Sequence, residues 1–121
     1  MILIDTSVWI EHLRGRGPDL TNALETGQVL MHPFVLGELA CGNLRNRQSL
    51  LEMLKDLPSG PVASDEEVLS YIEQHGLMGR GIGYIDVHLL ASVVLAGAAR
   101  LWTRDHELAA VAADLSLAFD T

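Results

Sequence analysis

The chain of 121 residues holds a single cysteine, a single lysine and only two each of Trp, Tyr and Phe. Cys41 alone permits no intrachain disulfide, and a reducing compartment is expected. It also offers no thiolate cluster for zinc, and His106-Glu107 lacks the second histidine of a zinc protease. Gly76, Gly79, Gly81 and Gly83 do not have the spacing of a dinucleotide fingerprint, and no Gly-Lys-Ser/Thr follows them. There is no Gly-x-Ser-x-Gly elbow for a serine hydrolase. Long apolar runs are missing too. The longest stretch without an ionisable side chain, residues 89–99, is eleven residues, whereas a spanning helix needs about 20. Residues 1–5 carry no basic start and reach an acid after four residues, so neither a secretory signal nor a membrane anchor is expected. A cytoplasmic location follows as the expectation.

Positive charge is scarce, with 8 Lys+Arg against 16 Asp+Glu and a net charge of -8. Phosphate binding normally leaves a basic footprint, so the charge argues at first against a nucleic-acid partner. Net charge sums over the whole surface, however, and a metal site built of carboxylates would itself account for several negative charges. Seven of the eight cations are Arg, the better bidentate phosphate ligand, although a genome that favours Arg codons is the simpler account. An apolar content of 49% and a mean hydropathy of +0.24 exclude disorder. The length suits one domain, residues 1–121, with one core.

Along the chain, strands alternate with helices. Residues 1–4 read as a buried parallel strand, residues 28–31 as a second and residues 100–103 as a third. A minor strand is expected over residues 61–63 and a last one over residues 117–119. Helices are expected after Asp5-Thr6-Ser7, from Pro18-Asp19 to Gly27, from Pro33 to about Gly42, over residues 46–57, after Ser64, over residues 84–96 and over residues 105–113. Ser64 and Glu67 have the spacing of a capping box. The alternation implies an α/β fold with a central parallel sheet and helices on both faces. Such sheets bind ligands outside the carboxyl ends of their strands.

Four carboxylates draw attention on that ground. Asp5 directly follows the first strand and Asp105 stands two residues past the third. Each taken alone is explained by helix capping. Glu38 sits in Phe34-Val35-Leu36-Gly37-Glu38-Leu39-Ala40-Cys41, among apolar and small residues, and is expected near the buried side, where an isolated charge is costly. A distant Arg partner is the plainer alternative. Asp86 is an N-cap if its helix begins there, or a first-turn acid on an almost wholly buried helix if the helix begins at Tyr84. Four acids converging on one sheet edge repel each other unless a cation neutralises them. Hard oxygen donors suit Mg²⁺ or Mn²⁺, and such an ion activates water against a phosphate. A metal-dependent phosphodiester hydrolase is the chemistry this composition points to.

The remaining candidates have plainer explanations. His12, His75 and His106 read as helix-surface residues, and His88 as a packed neighbour. Trp9 and Trp102 read as core. Arg14, Arg16, Arg80 and Arg104 read as solvated loop charges, so the substrate-binding residues stay unassigned.

Residues 1–10, then Gly37-Glu38-Leu39 with Gly42, then residues 83–92, then Leu101-Trp102-Thr103-Arg104-Asp105 resemble the PIN-domain ribonucleases. Within them, the VapC-type toxins of type II toxin–antitoxin systems are the most similar. The resemblance covers essentially the whole chain, with four motifs in register. It implies a three-layer α/β/α sandwich, a homodimer and Mg²⁺- or Mn²⁺-dependent endoribonuclease activity. It carries metal-site and catalytic roles onto Asp5, Glu38, Asp86 and Asp105, with Thr103 as a supporting hydroxyl. It further implies a cognate antitoxin that inserts a C-terminal segment, often with an Arg, into the acidic site. His106-Glu107-Leu108 departs from the Arg-His-Phe of many members, and the acid before it is kept.

Other classes fit less well. A phosphoreceiver-like signalling module needs an acidic pair after the first strand and a late Lys, whereas Asp5 stands alone and the one Lys is Lys55. A haloacid-dehalogenase-like phosphatase needs Asp-x-Asp, and Thr6-Ser7 follows Asp5 here. A non-catalytic, metal-binding PIN module has no need of all four acids. Nothing in the sequence says which RNA is cut.

Overall fold

The computed structural model describes residues 1–120. Three parallel strands, β1 (Ile2–Ile4), β2 (Val29–Leu30) and β3 (Arg100–Trp102), form a sheet in the order β2-β1-β3. β1 pairs through Ile2 with Val29 on one side and through Ile2, Leu3 and Ile4 with Arg100, Leu101 and Trp102 on the other. Single parallel bridges extend both edges, Met31 to Ser59 and Leu101 to Ala118. The minor strand expected over residues 61–63 is thus a one-residue bridge placed two residues earlier. The strand expected over residues 117–119 is likewise a single bridge. Neither segment offers a long enough apolar run to propagate a ladder.

Seven helices surround the sheet: α1 (Thr6–Leu13), α2 (Thr21–Glu25), α3 (Pro33–Ala40), α4 (Arg47–Lys55), α5 (Asp65–His75), α6 (Tyr84–Ala96) and α7 (His106–Asp114). From β1 the chain steps outward through β2 to Ser59, then returns across the sheet to β3 and on to Ala118. Right-handed crossovers in opposite directions put helices on opposite faces. In keeping with this, α3 packs on α1 and α4, and α6 packs on α5 and β3. The result is an α/β/α sandwich whose strand order reverses between β1 and β3. Open parallel sheets bind their ligands at that point.

The core follows from the apolar runs. Leu3, Ile4, Leu101, Leu89, Leu90 and Trp9 are fully buried. α6 has seven consecutive buried residues, Val87 to Val93, because it is apolar all round and lies under the α5 layer. Gly60 makes a close approach: an added Cβ would stand 2.9 Å from Ser92 Oγ and would have to displace that hydroxyl. That hydroxyl donates to the Pro61 carbonyl at 2.6 Å, tying the α4–α5 connection to α6.

Candidate active site

Asp5 is 8% exposed at the carboxyl end of β1, and its backbone N–H donates to the Trp102 carbonyl of β3 at 2.9 Å. It caps α1, with Oδ1 accepting from Thr6 N–H at 2.8 Å. Its other oxygen, Oδ2, accepts from two hydroxyls, Ser7 at 3.0 Å and Thr103 at 2.7 Å. Each hydroxyl in turn accepts a backbone N–H: Arg104 to Ser7 Oγ at 3.1 Å, and Asp105 to Thr103 Oγ1 at 3.0 Å. Two consecutive amides of the β3–α7 turn are thereby relayed onto one carboxylate oxygen. Hydrogen bonds of this kind make the burial of a carboxylate tolerable.

Asp105 caps α7, with Oδ1 accepting from Leu108 N–H at 3.0 Å, and is exposed. The capping explanation therefore applies to both Asp5 and Asp105, and it does not remove either from the sheet edge. α6 begins at Tyr84, so Asp86 lies in its first turn, half-buried, with Oδ2 accepting from Gly83 N–H at 3.0 Å. Burial pushes the Asp86 carboxyl above the usual carboxylate range. The Gly83 bond opposes this, and the charges of Asp5, Asp105 and Glu38 raise it further. All three other acids are close enough to act on Asp86, and that places the four in one locality.

Glu38 corrects an expectation. It is exposed, not turned to the buried side, because the apolar face of α3 runs through Val35 and Leu39 and leaves position 38 outward. No Arg pairs with it among the described residues. Its Oε1 instead accepts from Thr6 Oγ1 at 2.7 Å. The first helix thus touches two of the acids through consecutive side chains, Thr6 to Glu38 and Ser7 to Asp5. Sequence reasoning treated Thr6 and Ser7 as capping residues only. The signal available was their position directly after Asp5, at the first turn of a helix whose start faces the sheet edge.

Among the described residues, no three His, Cys, Asp or Glu side chains stand close enough to enclose a metal ion as placed. The acids are each held by their own donors and repel one another. The donor set nevertheless fits one class of ion. All four groups are hard oxygen donors, and Mg²⁺ typically takes one or two carboxylates directly and keeps its remaining waters. Burial, and after it the charges of Asp5, Asp105 and Glu38, raise the Asp86 carboxyl, and a cation bound among these acids would offset their mutual repulsion. No helix among the described residues is long and apolar enough to cross a membrane.

The histidines divide. His88 is 2% exposed within α6, with its Nε2 3.5 Å from Asp65 Oδ1. His32, to which the sequence assigned nothing, is fully buried and caps α3 by accepting Phe34 N–H on Nδ1 at 3.0 Å. Burial, with the adjacent His88, lowers it to about 4. The two imidazoles and the Phe34 ring at the start of α3 pack edge to face on one another. Trp9 is fully buried, and Trp102 is half-buried with its ring 5.1 Å from Phe119.

Carboxylates from four separate elements flank the strand-order reversal, the place where open parallel α/β sheets bind their ligands. Residues 2–114 match the PIN domain family, and the chain belongs to it. It is 46% identical over 118 residues to Ribonuclease VapC32 of Mycobacterium tuberculosis, in the CDC 1551 / Oshkosh and the ATCC 25618 / H37Rv strains. The match spans 98% of this chain and 95% of that protein. The crystal structure of PAE2754 from Pyrobaculum aerophilum shares the fold, with a TM-score of 0.56 at 17% identity, covering 91% of this chain and 78% of that one.

Proposed function

We propose that the chain is a metal-dependent endoribonuclease that hydrolyses RNA phosphodiester bonds and serves as the toxin of a toxin–antitoxin pair in the cytoplasm. The observation that carries this reading is the half-buried Asp86 in the first turn of α6, raised by burial first and then by the charges of Asp5, Asp105 and Glu38 from three other elements, in a chain of the PIN family. The near full-length likeness to a protein named as a ribonuclease supports it.

Asp5, Glu38, Asp86 and Asp105 are the residues that would hold the ion, Mg²⁺ or Mn²⁺. When bound, it supplies activation of water and neutralisation of charge at the phosphate. The chain's own residues do the positioning. Ser7 and Thr103 orient the Asp5 carboxylate through their hydroxyls. Thr6 holds Glu38, and Gly83 N–H holds Asp86. Without a cation the four acids repel the RNA backbone, so RNA engagement depends on metal.

Two partners belong to the proposal. An antitoxin segment presenting an Arg to the same acids would substitute its charge for the ion, an electrostatic match. A second copy of the chain completes a homodimer. The test is cleavage of a fluorescent single-stranded RNA by the purified chain with Mg²⁺, with Mn²⁺ and with a chelator. Metal-dependent cleavage that is lost in Glu38→Gln and Asp86→Asn is expected. Cleavage that persists in both variants would overturn the site.

A further inference from the structure

Asp86 is both a site residue and the side chain that closes its own helix end. The N-cap of α6 is Gly83, which has no side chain, and Asp86 Oδ2 alone reaches back to its N–H. The same carboxylate is crowded by the charges of Asp5, Asp105 and Glu38. Repulsion of this kind pushes the first turn of α6 away from the other acids. A turn under that load keeps its place when a contact outside the cluster holds it.

Two tertiary contacts do so. The hydroxyl of Tyr84, the first residue of α6, donates to Asp65 Oδ1 of α5 at 2.6 Å. This bond lowers the Asp65 carboxyl and raises the Tyr84 phenol, as expected of a donor facing an ionised acceptor. One turn further along α6, the His88 ring lies 4.8 Å from the Tyr84 ring and 4.8 Å from the Phe34 ring at the start of α3. Its Nε2 stands 3.5 Å from the same Asp65 oxygen. Asp65 is free for this part because Ser64 and Glu67 close the capping box of α5 between themselves.

We infer that the Tyr84–Asp65 pair positions Asp86, holding the first turn of α6 against the other carboxylates so that Asp86 stays among them for a shared divalent ion. Tyr84 and Asp65 are positioning residues, acting through the helix turn and not by contact with the four acids. The inference rests on the metal-dependent reading, and it adds two residues from outside the carboxylate cluster to the account of metal affinity.

The test is titration calorimetry of the full chain with Mn²⁺, without RNA and well below the melting temperature. Tyr84→Phe keeps the ring on His88 and removes only the hydroxyl. It is expected to weaken Mn²⁺ binding about tenfold, as when other groups that orient a ligand are removed. Asp65→Ala should do the same, and the double variant should bind no more weakly than the weaker single one, because both changes delete one bond. Asp65→Asn keeps an oxygen that accepts from Tyr84 and should restore most of the affinity. Glu66→Ala removes a like charge one residue away and should bind as the unaltered chain does. At saturating Mn²⁺, RNA cleavage by Tyr84→Phe should return to the unaltered rate. Unchanged Mn²⁺ affinity in Tyr84→Phe, or additive losses in Tyr84→Phe and Asp65→Ala, would overturn the inference and leave the nuclease reading standing. A raised KM for RNA with unchanged Mn²⁺ affinity would place the hydroxyl against substrate and overturn it as well. If the unaltered chain takes up no Mn²⁺, the metal-dependent reading fails and the inference falls with it.

Discussion

The Thr103 hydroxyl donates to Asp5 Oδ2 at 2.7 Å, joining side chains 98 residues apart. The same hydroxyl accepts Asp105 N–H at 3.0 Å, so the acid after β1 and the acid after β3 are fixed to each other through one oxygen. Neighbouring parallel strands make this possible, since the Asp5 N–H also bonds to the Trp102 carbonyl.

Replacing Thr103 with Val removes that oxygen, leaving the Asp105 amide and an Asp5 lone pair unsatisfied. A loss of about 1–3 kcal/mol is expected for such a change. Metal affinity or cleavage should also fall, by about 10- to 100-fold, as is typical when a residue orienting a ligand is removed. Thr103→Ser should restore both. Thermal melts and metal titration of the two variants check it, and equal defects in both would show that the methyl group, not the hydroxyl, matters.

Neutralising two of the acids should move metal-free stability in opposite directions. The raised Asp86 carboxyl means that the folded state takes up a proton more readily than the unfolded chain. Without metal, stability therefore falls as pH rises from the ordinary carboxylate value of 3.8 through the raised one. Asp86→Asn removes this penalty and still offers an oxygen to Gly83 N–H, so its metal-free Tm should rise by roughly a few degrees at neutral pH. Asp5→Asn relieves repulsion too, but its single amide oxygen cannot accept from Ser7 and Thr103 and at the same time from Thr6 N–H, because the NH₂ that replaces the other oxygen only donates. A net loss of about 1–3 kcal/mol is expected. Differential scanning fluorimetry in chelator reads both signs.

Thr6 is a positioning residue for Glu38. Thr6→Val should weaken Mn²⁺ binding by about tenfold, read by titration calorimetry independently of cleavage. Thr6→Ser should behave as the unaltered chain. Unchanged affinity in Thr6→Val would show that Glu38 needs no such support.

The buried His32 gives the fold a pH dependence of its own. Its value of about 4 lies below the ordinary 6.5, so on acidification the unfolded chain binds the proton first. Stability present in full above pH 6.5 is lost progressively down to about pH 4, by about 3 kcal/mol at most. Protonation would also remove the Nδ1 lone pair that caps α3. His32→Asn keeps a capping side chain without a titrating ring, so its urea midpoint should vary less over that interval. An equal slope in both proteins would assign the acid lability elsewhere.

How far the sequence revealed this site depends on the kind of signal. Asp5 and Asp105 were legible because each follows a short apolar strand, and parallel neighbours must end on the same side. Asp86 was left between two helix starts, and the structure resolves them at Tyr84. Glu38 was legible as an anomaly among apolar residues, but its direction was not, since Gly37 and Leu36 blurred which face of α3 was buried. The contacts of Thr6 with Glu38 and of Ser7 with Asp5 left only one trace in the sequence, the position of both residues directly after Asp5. Two short polar side chains after an Asp read as a helix cap, and only the tertiary approach of β3 and α3 gives them partners.

The most direct measurement is the chemistry of the ends left on RNA cut by the purified chain in Mg²⁺. Water as the nucleophile, activated at the four acids, leaves 5′-phosphate and 3′-hydroxyl ends, with no product in chelator or from Asp86→Asn. Ends bearing 2′,3′-cyclic phosphate, or cleavage that continues in chelator, would contradict metal-dependent hydrolysis at Asp5, Glu38, Asp86 and Asp105.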